Sequence, residues 1–507
     1  MAKGKNAHKQ KVRHPTHVSE DEDLFEVEPL ETNPTRVVVR WALGISLVTF
    51  LVYLPTVYPN IAGGDATELS FVACRFGTAH PPGYPLWTIL SGLFVRLLPV
   101  GSAAYRTNVC ATVCAALCNG VVFMVVEGAT GKIPSAVLAS GLWAFGKLVW
   151  QYAIQAEVFA LNNLLCAVLL YLTGCYEKTR DCRCAYWGAF VIGLGLSNQH
   201  TIIFYVIPLL LRVIWASKGE LLQAKHIARL VVAGAVGLLP YAYLPLVGGR
   251  ALPGSWGELT TLDGFRKHLL REEYGTFRLF SGAEPEDTRF LLGLQHYMHS
   301  LLEQSRFVGL GLVAIGMLLV LFLPSRRCPS GFSSLFVFVV YTVSFHQMAN
   351  LPIENPLHLG VMARFWLQSH LAALVLLGIG AAEVLKFFEP EPEPVSIGTA
   401  GQDGARLRKK DTLVFKGNTR RGPFSDMPCD VRVPEEVGEC APGPCVSIAP
   451  LAMQSLEIGV SSGGDEQEPK EAAKRGGTAA AGAIPAEYLK KGNAAEASRR
   501  HREALKV

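Results

Sequence analysis

Apolar residues gather in long blocks between positions 37 and 387, with polar segments between them. The blocks fall at about 37–58, 84–99, 106–127, 134–150, 157–175, 186–199, 201–216, 229–247, 307–324, 333–348 and 366–386. A helix of about 20 apolar residues crosses the hydrocarbon core of a bilayer. It also satisfies its own backbone hydrogen bonds where no water can. The pattern therefore predicts an all-α polytopic membrane protein.

The first block is too long for a signal-peptide core and lacks a small-residue cleavage site, so it reads as a signal anchor. Arg36 just before it and Arg40 in its first turn keep the N-terminus cytosolic. Basic residues cluster at Lys178, Arg180 and Arg183, across 212–229, and at Arg326 and Arg327. Placing these loops in the cytosol requires an odd number of crossings between the first lumenal loop and Lys178, where four blocks are available. Block 134–150, short and containing Lys147, is the one expected not to span. About ten transmembrane helices remain, with both termini cytosolic. The lumenal face then carries segments 60–80, 151–157, 248–306 and 348–364.

Three regions follow: a flexible cytosolic tail over 1–36, a transmembrane domain over 37–388, and a tail over 389–507. The last is rich in Pro, Gly and Ala with balanced charge, has no block able to build a core, and is expected to be mostly disordered. Composition agrees. Half of the 507 residues are hydrophobic and only 18% are charged, with mean hydropathy +0.28, which excludes a cytosolic enzyme, a disordered scaffold and a secreted disulfide module. A net charge of +5 gives no bulk field for nucleic acid. Cys110, Cys114 and Cys118 repeat at i, i+4, i+8 inside an apolar block, as small packing residues or as ligands of a soft metal. Cys182 and Cys184 lie in a basic loop facing the reducing cytosol, where no bridge is expected.

The candidate chemistry sits at block edges. Gly63-Gly64-Asp65-Ala66-Thr67-Glu68 follows the first span. Two glycines permit a tight turn at the membrane surface, and a carboxylate held there can take a proton from an attacking alcohol. Asp65 as N-cap and Glu68 at the third helical position make an equally simple capping box. His80-Pro81-Pro82-Gly83-Tyr84-Pro85 prevents regular helix where the second span opens, leaving His80 and Tyr84 to bind a polar ligand or to form an interfacial belt. Glu157 heads an otherwise apolar span, a costly place for an ionisable group. Asn198-Gln199-His200-Thr201 is a polar turn between two short spans, and Arg364 stands before the last. That arginine can snorkel or grip a phosphate with its planar fork. The loop Arg271-Glu272-Glu273-Tyr274-Gly275-Thr276-Phe277-Arg278 mixes charge with aromatics, and Asp263 reads as a helix cap. No Walker loop, dinucleotide fingerprint, zinc spacing or serine elbow occurs.

In order, these segments resemble the GT-C superfamily of membrane glycosyltransferases, and within it the transmembrane protein O-mannosyltransferase branch that carries a lumenal tetratricopeptide domain. The resemblance covers roughly 37–387. It rests on Gly64-Asp65 with Glu68, His80-Pro81-Pro82-Gly83-Tyr84-Pro85, Ala156-Glu157-Val158-Phe159-Ala160-Leu161-Asn162, Gly195-Leu196-Ser197-Asn198-Gln199-His200-Thr201 and the loop around 271–277. It implies a GT-C-like bundle in the endoplasmic reticulum membrane that moves mannose from dolichyl phosphate mannose to Ser or Thr hydroxyls of secretory or membrane proteins. Asp65 takes the place of the general base and Glu68 shares its face. Substrate contacts are expected from His80, Tyr84, Glu157, Asn198, His200 and Arg364, among which His80, His200 and Arg364 are candidates to neutralise the leaving phosphate. Neither cofactor nor metal is expected, and one displacement inverts the sugar. The C-terminal tail departs from the branch: only Gly492-Asn493-Ala494-Ala495-Glu496-Ala497 with Ala504-Leu505, within a fragment near 488–505, has the spacing of a tetratricopeptide helix. One repeat cannot bury its own face, so the chain reads as divergent there or stopped early. Another polyprenyl-phosphate sugar, a polytopic transporter and an inactive scaffold are the competing readings.

Overall fold

The computed structural model describes residues 34–250, 252–272, 287–322, 330–349 and 351–388. The expectations for 1–33 and 389–507, including the tetratricopeptide-like fragment, lie outside the described residues, as do Tyr274, Gly275, Thr276, Phe277 and Arg278. What is described is helical, with no strand among those residues. The helices are α1 (Pro34–Tyr53), α2 (Asp65–Arg75), α3 (Pro85–Leu97), α4 (Ala103–Thr130), α5 (Ile133–Ala144), α6 (Lys147–Ala153), α7 (Val158–Thr179) and α8 (Cys182–Asn198). They continue with α9 (Ile203–Ser217), α10 (Ala224–Gly237), α11 (Tyr243–Gly248), α12 (Leu262–Leu269), α13 (Asp287–Phe322), α14 (Gly331–Met348), α15 (Pro356–Ala363) and α16 (Trp366–Leu385).

Among the described residues, seven helices are long and apolar enough to cross a membrane, or nine if each of two bent pairs counts as one span. About ten are expected from the blocks; two blocks fall short, and block 229–247 lies in a helix pair bent by 44° around α10 and α11. Block 84–99 forms only the 13-residue α3, and block 186–199 lies in the 17-residue α8, both shorter than the ~20 residues a bilayer needs. Block 134–150, the one expected not to span, is broken between α5 and α6 by a bend of 66°, a geometry shared by a broken span and a re-entrant loop.

The centre of the bundle is α16, buried at every position from Trp366 to Ala382. Small residues bring its neighbour close: a Cβ added at Gly380 would lie 2.1 Å from the Leu312 carbonyl oxygen of α13, and one at Gly316 would lie 2.0 Å from that of Leu376. Without a hydrophobic drive between helices in lipid, such backbone approach is a main source of association. Cys110, Cys114 and Cys118 are buried free thiols in α4, and Cys182 and Cys184 are also free. Asp263 does not cap α12; Thr261 does, its Oγ1 accepting from Gly264 N at 3.1 Å. Asp263 instead pairs on the surface with Arg266 at 3.2 Å and Lys267 at 2.6 Å.

Candidate functional site

Helix ends build the site. Asp65 opens α2, Glu157 directly precedes α7, His200 lies between α8 and α9, and Arg364 directly precedes Phe365 and α16. These ends converge on a cavity of about 280 Å³ whose lining includes Asp65, Glu68, His80, Tyr84, Glu157, His200 and Arg364. Seven of the eight residues expected from sequence thus meet in one place.

Gly63 and Gly64 have φ of +96° and +56°, a region that glycine enters without a Cβ penalty. Gly64 is the N-cap of α2, so Asp65 is its first helical residue and the expected capping box does not form. Both carboxylates are released for other partners. Asp65 Oδ2 accepts from Arg364 Nη1 at 2.7 Å. Glu68 accepts twice from His80, at Oε1 from the backbone N–H at 2.6 Å and at Oε2 from Nδ1 at 3.0 Å. With Nδ1–H donating to Glu68, Nε2 is the acceptor for the Tyr84 hydroxyl 3.1 Å away. Burial raises that hydroxyl above the usual phenol range, so it stays protonated and able to donate.

Arg364 also reaches Glu157 Oε1, at 3.4 Å from Nη1. The two carboxylates differ sharply in environment: the Asp65 side chain is 39% exposed, that of Glu157 only 6%. Burial pushes the Glu157 carboxyl up to about 8; the Arg364 charge pulls it down and Asp65 adds to the rise. Desolvation therefore outweighs the ion pair, and Glu157 is mostly protonated at neutral pH. Burial alone would lower Arg364, yet its two acidic neighbours hold it above its ordinary value, permanently charged. The guanidinium lies over the rings of Phe159 at 5.3 Å and Phe365 at 5.9 Å, and its Nε–H is buried with no acceptor among the described residues.

The lining also includes Gln199, Thr201, Trp256, Arg271 and Phe159, which the sequence alone does not single out as individual contacts. Trp256 and Arg271 come from the long loop after α11, which is sewn to the site by Trp256 N to Thr78 O at 3.0 Å and Thr78 N to Ser255 Oγ at 3.2 Å; α11 itself is fastened by Tyr243 Oη to Gly77 O at 2.9 Å. Gly83, at φ +94°, leaves room there: a Cβ would lie 3.1 Å from both Leu244 and His268. Burial lowers His268 to about 4, so it stays neutral beneath the loop. Asn198 is not among the lining residues. It is buried, and its Nδ2 donates to Val158 O at 3.1 Å, fixing the end of α8 to the start of α7. Another support is Asn108 of α4. Its Nδ2 donates to Tyr58 O at 2.8 Å and Asn60 O at 2.9 Å, and its Oδ1 accepts from Ala156 N at 2.8 Å. One side chain thereby ties the loop before Asp65 to the segment before Glu157.

An arginine flanked by an exposed and a buried carboxylate, beside a His–Tyr pair and a second arginine, can hold an anion and accept a proton from an incoming hydroxyl. Residues 65–223 match the sequence profile of the protein O-mannosyl-transferase TMEM260 N-terminal domain. The protein O-mannosyl-transferase TMEM260 of Mus musculus is 36% identical over 356 residues, covering 68% of this chain and 50% of the mouse protein. Its counterpart from Dictyostelium discoideum is 33% identical over 358 residues, covering 66% of this chain and 44% of that protein. The chain spans about half the length of these curated relatives. Among solved structures, ArnT from Cupriavidus metallidurans bound to undecaprenyl phosphate aligns with TM-score 0.48 at 13% identity, over 68% of this chain and 59% of ArnT. Over about two thirds of its length this chain is similar to the TMEM260 protein O-mannosyl-transferases, and residues 65–223 match the N-terminal domain of that family.

Proposed function

We propose that this chain is a multi-pass glycosyltransferase of the endoplasmic reticulum membrane that transfers mannose from dolichyl phosphate mannose to Ser or Thr hydroxyls of secretory or membrane proteins. The observation that carries the reading is Arg364 set between exposed Asp65 and buried Glu157. Similarity to relatives named protein O-mannosyl-transferases supports the reaction class.

In this reading the donor phosphate enters beside Arg364 and accepts from its unpartnered Nε–H, with Arg271 adding positive charge across the cavity. Drawing the guanidinium toward phosphate loosens its hold on Asp65. An acceptor hydroxyl then gives its proton to the Asp65 carboxylate while its oxygen bonds to the anomeric carbon. The bond from that carbon to the phosphate oxygen breaks and its electron pair leaves on the lipid phosphate, whose charge the arginines neutralise. A single displacement inverts the sugar. Protonated Glu157 adds no second negative charge next to the phosphate. His80, oriented by Glu68 and Tyr84, holds the cavity wall between Asp65 and Trp256.

Membranes containing the full chain, supplied with labelled dolichyl phosphate mannose or dolichyl phosphate glucose and a mixture of secretory domains, test the reading. Label on Ser or Thr from the mannose donor alone is expected. Equal label from the glucose donor overturns the sugar assignment, and label from neither overturns the enzyme.

A further inference from the structure

At the opposite end of the bundle, away from the cavity, lies a second cluster with chemistry the transfer reaction does not use. Helices α7, α8 and α9 each have one end near the cavity; their other ends gather Thr179, Cys182 and Ser217. With α7 at 22 residues and 1.5 Å per residue, the separation is about 33 Å. Here Cys182, Glu220 and His226 each turn a ligand atom inward, all within 4.8 Å of one another. They form the one group of three or more His, Cys, Asp or Glu residues so arranged among the described residues. Cys182 Sγ and a Glu220 carboxylate oxygen are 3.6 Å apart, close to an edge of a tetrahedron with metal–ligand bonds of about 2.0–2.3 Å.

We propose that Cys182, Glu220 and His226 form a site for a divalent transition-metal ion of the zinc class. Its three ligands come from separate elements: the first turn of α8, the single 3₁₀ turn Glu220–Leu222, and the first turn of α10. The mixture of thiolate, imidazole and carboxylate suits borderline zinc and disfavours magnesium or calcium, which take oxygen ligands. The surroundings are built for a fixed site. Tyr176, Cys184, Ala216 and Leu221 pack into a small apolar cluster that clamps the same elements, with Cys182 against it. His226 is buried, and its Nδ1 meets the Tyr186 hydroxyl at 2.5 Å, the kind of outer contact that fixes the ring of a liganding histidine. Glu220 is exposed, so the fourth position opens to water. On binding, the Cys182 thiol gives its proton to solvent and the ion ties α8 to the α9–α10 connection, at a distance that keeps it apart from the transfer chemistry.

The 507-residue chain in detergent, stripped with chelator and titrated with Co²⁺ and then Zn²⁺, tests the site. The expected result is a thiolate-to-cobalt charge-transfer band that saturates at one equivalent and disappears on addition of Zn²⁺. It should be lost in Cys182→Ser, kept in Cys184→Ser, and shifted to at least about tenfold weaker binding in Tyr186→Phe. No band, or a band unchanged in Cys182→Ser, overturns the assignment. In the unmutated chain, where no folding defect intrudes, Zn²⁺ should slow maleimide labelling of Cys182 at least about tenfold while labelling of exposed Cys74 stays constant. An unchanged rate at Cys182 overturns it equally.

Discussion

Arg364 and Asp65 stand 299 positions apart in the chain, yet their side chains meet at 2.7 Å. That contact joins the start of α2 to the segment before the central helix. It also explains how a chain with its functional groups scattered along most of the transmembrane region makes one site. The same guanidinium touches Glu157, so one cation organises two acids of unlike exposure.

Because the guanidinium is a planar fork and an ammonium is a point charge, Arg364→Lys should retain charge and still fail. The expected loss is about 10- to 100-fold in kcat/KM for the lipid donor, the range of one or two charge-assisted hydrogen bonds. Donor titrations in membranes check it. A lysine variant with unchanged donor KM and kcat would show that the fork is not used.

Glu157 gives a pH signature. An ordinary glutamate titrates near 4.5, and here the carboxyl is raised to about 8, so the fold holds the proton more tightly across that window. The stability this contributes is complete below 4.5 and is lost as pH rises through about 8. In the proposed reaction, Glu157 ionised above that value beside Arg364 would repel the donor phosphate. Activity should therefore fall on the alkaline side of pH ~8, and Glu157→Gln should flatten that limb. Profiles of both forms from mildly acid to alkaline pH decide the matter; an identical limb in the variant contradicts the assignment.

Glu68 orients His80 through both a backbone and a ring hydrogen bond. Glu68→Gln keeps the size but offers one oxygen where two are used, and should cost about tenfold in kcat/KM, as loss of one charged hydrogen bond does. Tyr84→Phe, which removes only the outer contact to Nε2, should cost less. The reverse order, measured under matched expression, would mean that Tyr84 rather than Glu68 sets the ring.

Asn108→Ala removes three bonds between two site loops. Each buried partner left unsatisfied costs about 1–3 kcal/mol, so thermal unfolding in detergent should shift down by several degrees, with transfer reduced alongside. Unchanged stability would mean that the loops hold their places without it.

Much of this arrangement is legible in the chain before any fold is known, and the remainder is hidden for physical reasons. Gly63-Gly64-Asp65 announces a turn because only glycine enters left-handed backbone freely, and Glu157 stands out because an acid at the head of an apolar span is costly. The contact between Arg364 and Asp65 has no local signal at all, since it joins helix ends that only the bundle brings together. Asn198 and Gln199 illustrate the limit of motif reading. Asn198 ends α8 and turns inward to Val158, while Gln199 adopts extended backbone, φ −155° and ψ 121°, and lines the cavity. A shift of one residue at that transition exchanges buried support for cavity wall. Trp256 is obscured differently, because a long polar loop carries no periodicity to say which of its residues fold back; Arg271 lies in a loop the sequence marks, without a sign that it lines the cavity.

In the proposed reaction the part-exposed carboxylate of Asp65 accepts the proton of the attacking hydroxyl. The most direct test of this step compares wild type with Asp65→Asn at equal protein level, using labelled dolichyl phosphate mannose and a Ser/Thr-rich acceptor. Transfer should fall by at least about 100-fold, as expected on loss of a general base, with donor binding retained. Equal transfer by the two forms would contradict it and leave Asp65 as no more than the structural partner of Arg364.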